Sequence, residues 1–131
     1  GVLLAQQSKG DFELAVGAHV DPVFGPVVMV SHGGVLIEAL ADAQFLLPPF
    51  DIEEAIAAIG RLRVARLMGE VRGLRAVDLE QLAGMLVALG NCVAEPDGLV
   101  VSVDANPVIV SRGEAAPVMV DAVVILGKSL S

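Results

Sequence analysis

From Phe12 to Asp21 the chain alternates, with Phe12, Leu14, Val16, Ala18 and Val20 on one side and Glu13, Ala15, Gly17, His19 and Asp21 on the other. A period of two is that of a half-buried strand. Asp21-Pro22 and Gly25-Pro26 mark a short turn, because Pro and Gly punctuate regular structure. Val27 to Ser31 and Val35 to Leu40 then form two predicted strands around Gly33-Gly34. The three together predict an antiparallel meander.

After Pro48-Pro49 the period changes. Asp51-Ile52-Glu53-Glu54 supplies a helix cap with an acid three residues on, and Ile52, Ile56 and Ile59 follow at helical spacing, the signature of a helix start. That helix is expected to run to about Met68. A second helix opens with Asp78-Leu79-Glu80-Gln81, carries Leu79, Leu82, Leu86 and Leu89 on one face, and is expected to end near Gly90. Glu95-Pro96-Asp97-Gly98 reads as a turn and Leu99 to Asp104 as a strand. Val108 to Ser111 is expected to pair with Val118 to Leu126 through Arg112-Gly113-Glu114 as a hairpin. The order β-β-β-α-α-β-β-β predicts an α+β fold, an antiparallel sheet packed with two main helices. Residues 1–131 are read as a single domain.

Composition narrows this picture. With 131 residues, 55% of them hydrophobic and only 3% aromatic, the core must be aliphatic. A chain of this length buries about two-thirds of its unfolded surface. The net charge of −8, with eight basic residues in no extensive stripe, argues against nucleic acid as a partner. No apolar run reaches the ~18 residues of a membrane span, and no secretory signal pattern is visible. The lone Cys92, read as an inert core thiol in an apolar helix, fits a reducing, cytoplasmic setting. Arg61, Arg63, Arg66, Arg72 and Arg75 form the one basic concentration, read as a solvated helix face and loop.

Asp104-Ala105-Asn106-Pro107 carries the chemistry. A spacing of two puts the Asp104 carboxylate and the Asn106 amide on one side of an extended chain. Asp121 interrupts an apolar run, and a hairpin would return it beside them. Two carboxylates and an amide suit Mg²⁺, a hard cation that completes its octahedron with water and phosphate oxygens. The alternative is an Asx turn before Pro107 with Asp121 facing solvent on an edge strand. Ser31-His32-Gly33-Gly34 can cradle a phosphate with backbone N–H groups or form a plain turn. His32 has no acid partner that the sequence can place. Glu13 and His19 lie on the polar face of the first strand, and Glu38 ends an apolar one; a solvated face is the alternative for these.

Read together, Glu13-Leu14, Asp21-Pro22-Val23-Phe24-Gly25-Pro26-Val27-Val28-Met29, Gly33-Gly34-Val35, Glu38-Ala39-Leu40, Gly69-Glu70-Val71-Arg72-Gly73 and Asp104-Ala105-Asn106-Pro107 resemble the carboxy-terminal part of the ATP-grasp domain of NDP-forming acyl-CoA synthetases. The resemblance implies one lobe of a longer protein that converts a small carboxylic acid, ATP and coenzyme A to an acyl-CoA through an acyl phosphate and a phosphohistidine. It implies ATP and Mg²⁺ as cofactors, coenzyme A as co-substrate of the parent protein, Asn106 and Asp121 as metal residues, and Glu13 and Asp104 as nucleotide-binding residues. The amino-terminal ATP-grasp lobe and a CoA-binding domain or subunit are the implied partners, with homo-oligomerisation left open. Ala5, Ala41, Leu46 and Ser102 stand where the family has polar or charged residues. They keep a second expectation open, a non-catalytic regulatory or structural module.

Overall fold

The computed structural model describes residues 10–32 and 42–127. Its sheet contains β1 (Phe12–Asp21), β2 (Gly25–His32), β3 (Ala43–Leu46), β4 (Val100–Val110), β5 (Val118–Met119) and β6 (Ala122–Leu126), with α1 (Ile52–Gly60), α2 (Ala65–Met68) and α3 (Leu79–Ala94) between β3 and β4. The spatial order is β3-β2-β1-β4, and the outer edge of β4 is shared by β5 and β6. Every pairing is antiparallel. The α+β expectation therefore holds.

Period-two alternation divides the sheet into two faces. Leu14, Val16 and Ala18 of β1, Val28 and Val30 of β2, and Val103, Ala105 and Val108 of β4 are buried in one core with Ala55, Ala58 and Ile59 of α1 and Leu82, Ala83 and Leu86 of α3. Each fully buried aliphatic side chain of Val or Leu size contributes roughly 1.5–3 kcal/mol relative to exposure. α3 packs across β1, β2 and β4, and α1 packs on α3 and β3. The helices thus cover one face of the sheet; on the other, the open face, no described helix packs, and Glu13, His19, Asp104 and Asn106 are exposed while Ser31 and Ile109 are buried.

Both predicted caps form. The Asp51 carboxylate accepts the Glu54 N–H at 2.8 Å. That of Asp78 accepts from the Glu80 and Gln81 N–H groups at 3.1 and 3.3 Å. The first helix, however, ends at Gly60 instead of Met68. Arg63 donates its N–H to Asp42 Oδ1 at 2.8 Å, and Leu62 and Val64 turn into the core. A tertiary bond and two buried side chains outweigh helix continuation, and one turn, α2, resumes after them.

One other expectation cannot be placed and two change. The predicted strand from Val35 to Leu40 lies outside the described residues, and the third strand observed is the short Ala43–Leu46. The two strands predicted on either side of Asn106-Pro107 are one, β4. Pro107 falls at a register shift, where β1 pairs Leu14 with Val108 and Val16 with Ala105, so no β1 position needs its N–H. Cys92 is exposed: α3 buries Leu89, Gly90 and Val93, and Cys92 falls off that stripe. Among the described residues no helix is long and apolar enough to cross a membrane.

Candidate functional site

The open face is a grid set by strand register. One row joins Met29, Gly17, Asp104 and Val123, and the next joins Val27, His19, Ser102 and Ile125. Asp104 and Asn106 are exposed while their neighbours Val103 and Ala105 are buried, so strand alternation aims both polar groups away from the helices. Gly17 makes room for the carboxylate, since a Cβ added there would lie 3.3 Å from Asp104 Oδ1.

Asn106 donates its N–H to Asp121 O at 3.0 Å, and Val120 donates to Pro107 O at 3.1 Å. These bonds continue the register in which Asp104 faces Val123 and Ala105 faces Ala122. Asp121 thereby returns beside Asn106, as the hairpin argument expects. The Asx-turn alternative fails locally, because Asn106 lies inside β4 with its N–H committed to Asp121. Asp104 and Asp121 are exposed, and among the described residues the one ion-pair contact, His19 with Asp21 at 3.9 Å, involves neither. Nor does any group of three His, Cys, Asp or Glu among the described residues converge as a metal site. Two carboxylates and an amide fit a hard cation that keeps waters and phosphate oxygens, and do not fit a closed all-protein cage.

Glu13 is exposed on the open side of β1. Four residues of strand separate it from the Gly17–Asp104 row, roughly 13 Å. A cavity of about 200 Å³ lies on the open face against Gly17, His19, Met29, Phe45, Ser102 and Asp104. A more apolar one of about 450 Å³ adjoins it through His19 and Phe45 and reaches Asp21, Phe24 and Leu47. The Asp21 carboxylate accepts the Phe24 and Val23 N–H groups at 3.0 and 2.7 Å, which hold its pKa below the usual carboxylate value.

Ser31 is buried with its Oγ unpartnered among the described residues, and His32 is exposed at the end of β2. Gly33, Gly34, Glu38 and Ala41, like Ala5, lie outside the described residues. Leu46 is buried and pairs with Val28 on the helix side of the sheet, whereas Ser102 lines the cavity beside Asp104.

The sequence gives no sign of Arg112 beyond a hairpin position. Its guanidinium donates to Gly69 O at 2.8 Å and Arg75 O at 2.9 Å, and also to Leu67 O. It lies 5.3 Å from the centroid of the Phe12 ring, and the Arg112 N–H donates to Asp11 Oδ2 at 2.7 Å. Three carbonyls, a ring and a carboxylate converge on this one residue. Between its carbonyl partners, Val71 and Leu74 close a tight turn with Arg72 and Gly73 at φ 48° and 80°.

The sequence model of the ATP-grasp domain family matches residues 1–126. The 4-hydroxybutyrate–CoA ligase (ADP-forming) of Nitrosopumilus maritimus is 34% identical over 110 residues, which are 84% of this chain and 16% of that protein. The beta subunit of acetate–CoA ligase (ADP-forming) II of Pyrococcus furiosus is 32% identical over 126 residues, 96% of this chain and 53% of that subunit. The dinucleotide-forming acetyl-coenzyme A synthetase 1 of Ca. Korarchaeum cryptofilum, solved with coenzyme A and Mg-AMPPCP, superposes with a TM-score of 0.76 at 31% identity. That superposition covers 91% of this chain and 55% of that one. The chain thus spans about half, or less, of the length of the relatives it matches.

Proposed function

The chain belongs to the ATP-grasp domain family, and from that premise we propose that it forms one wall of the nucleotide site of an NDP-forming acyl-CoA synthetase. The observation that supports this is the backbone register that sets Asp121 beside Asn106, two residues along β4 from Asp104, on the open face of the sheet. Asn106 and Asp121 hold Mg²⁺, Asp104 faces the nucleotide beside them, and Glu13 accepts hydrogen bonds from the ribose diol. When bound, Mg²⁺ neutralises charge on the phosphate oxygens.

The described strands contain no Lys or Arg. This wall therefore brings acids to a polyanionic ligand, and in this reading an opposing amino-terminal lobe supplies cationic side chains. Phosphoryl transfer depends on charge neutralisation from several directions, so the activity belongs to the longer protein. That protein joins a small carboxylic acid to coenzyme A at the expense of ATP, with a CoA-binding domain or subunit and a phosphohistidine outside this segment. The setting we infer for it is the cytoplasm.

The test is ADP release by the full-length protein, with its companion subunit where the lobes are separate chains, on a panel of carboxylic acids with ATP, Mg²⁺ and coenzyme A. Turnover is expected, and Asp121→Asn is expected to lower kcat/KM by at least about 10–100-fold, the range for losing even a group that orients a metal ligand. Asp121 is exposed, so the fold should tolerate the change. Absence of turnover with every acid sinks the catalytic reading. A second reading, a regulatory module, draws on the lack of Lys and Arg in the described strands and on Leu46 buried away from the open face. It predicts that the nucleotide stabilises the protein without ADP release.

A further inference from the structure

We propose that Arg112 is a positioning residue for Glu13, holding the start of β1 and the connector between α2 and α3 as one unit behind the nucleotide site. The inference rests on the role of Glu13 given above.

Arg112 engages the two residues immediately before Glu13, Asp11 through its backbone N–H and Phe12 through its guanidinium. Asp11 also donates its own N–H to Val110 O at 3.1 Å, and Phe12 and Glu13 pair with Val110 and Ile109. Successive side chains of a strand point to opposite faces. Phe12 packs against the core, so clamping it orients the exposed Glu13 from behind without occupying the open face. The same guanidinium takes carbonyls from the end of α2, Leu67 and Gly69, and Arg75 from beyond the turn. Helix-end carbonyls lack intrahelical donors, and a planar guanidinium can serve several at once where an ammonium presents a point charge. Val77 closes the unit by donating to Met68 O at 2.8 Å, while Gly113 donates to Ala76 O at 2.9 Å. A displacement of the connector must therefore move Arg112, Phe12 and the backbone that carries Glu13.

The experiment titrates Mg-AMPPCP into the full-length wild-type protein and into Arg112→Ala, Arg112→Lys, Glu13→Gln and the Arg112→Ala/Glu13→Gln pair, with thermal melts of each. Glu13→Gln and Arg112→Ala should each weaken binding about tenfold, and the pair should be no weaker than the worse single variant, since residues acting through one another are not additive. Arg112→Lys keeps the charge but not the fork, so intermediate affinity with a near-native melt is expected; it carries the test if Arg112→Ala does not fold. Unchanged affinity in the folded Arg112 variants, or a loss in the pair equal to the product of the single losses, overturns the role of Arg112. A wild type that does not bind Mg-AMPPCP, or a Glu13→Gln variant that binds as wild type does, overturns the site reading beneath it.

Discussion

Gly17→Ala separates the site from the fold. Gly17 sits opposite Asp104 in the register, and the added methyl would lie 3.3 Å from Asp104 Oδ1 and 4.0 Å from Val103 O. The second contact is ordinary. The first requires the carboxylate to give by a few tenths of an ångström, which an exposed side chain does by rotation at little cost. Gly17 does not have a positive φ, so alanine fits the backbone and removes unfolded-state freedom, a stabilising effect of roughly 0.4–1 kcal/mol. Stability should therefore stay within about 1 kcal/mol of wild type. Binding is less tolerant, because a site must hold its groups to within about 0.5 Å and 10–20°, and the side-chain rotation that relieves the contact re-aims the carboxylate. A moved Asp104 should weaken Mg-AMPPCP binding about tenfold. Urea unfolding and calorimetric titration of the same full-length preparation measure the two arms. Wild-type affinity in Gly17→Ala would refute the placement of Asp104 at the ligand, and a stability loss well beyond 2 kcal/mol would refute the claim that the carboxylate can move freely.

Two further outcomes concern the scaffold. Leu82 has no exposed surface, so Leu82→Ala should cost about 2–5 kcal/mol, read as a lower urea midpoint. Asp78 has a lowered pKa, first through the Gln81 side-chain amide and then through the Gln81 and Glu80 N–H groups. Its folded value lies below its unfolded one, so its contribution is complete above the unfolded pKa and is lost as pH falls through the folded one. Urea midpoints of wild type and Asp78→Asn should thus differ at neutral pH and converge from roughly pH 4 downward. A constant difference across that range would count against the carboxylate as the source.

What could be read from the chain beforehand was local. Alternation in β1, the caps at Asp51 and Asp78 and the leucine stripe of α3 depend on neighbours within a few residues. So does the pairing of Asp104 with Asn106 on one side of a strand. Asp121 was reachable because a hairpin fixes where its return strand lies. The break after Gly60 was not, since it depends on Asp42, 21 residues from Arg63 in sequence. Arg112 was not either, as its partners begin at Asp11 and extend to Arg75 and no periodicity encodes them. Cys92 misled because an apolar neighbourhood does not say which side of a helix a residue takes. The family resemblance supplied what spacing could not, a proposed ligand for the acids on the open face.

Strand β6 has a consequence for thermodynamics. Val123, Val124, Ile125 and Leu126 are 57%, 53%, 54% and 62% exposed, although Val103, the cross-strand partner of Val124, is buried. A strand apolar on both faces at the rim of a sheet gains free energy from any surface laid over it. Whatever covers it in the folded state alone stabilises the segment by mass action. The unfolding free energy of this chain is then a function of the company it keeps, and a melting curve recorded at one dilution is one point on that function.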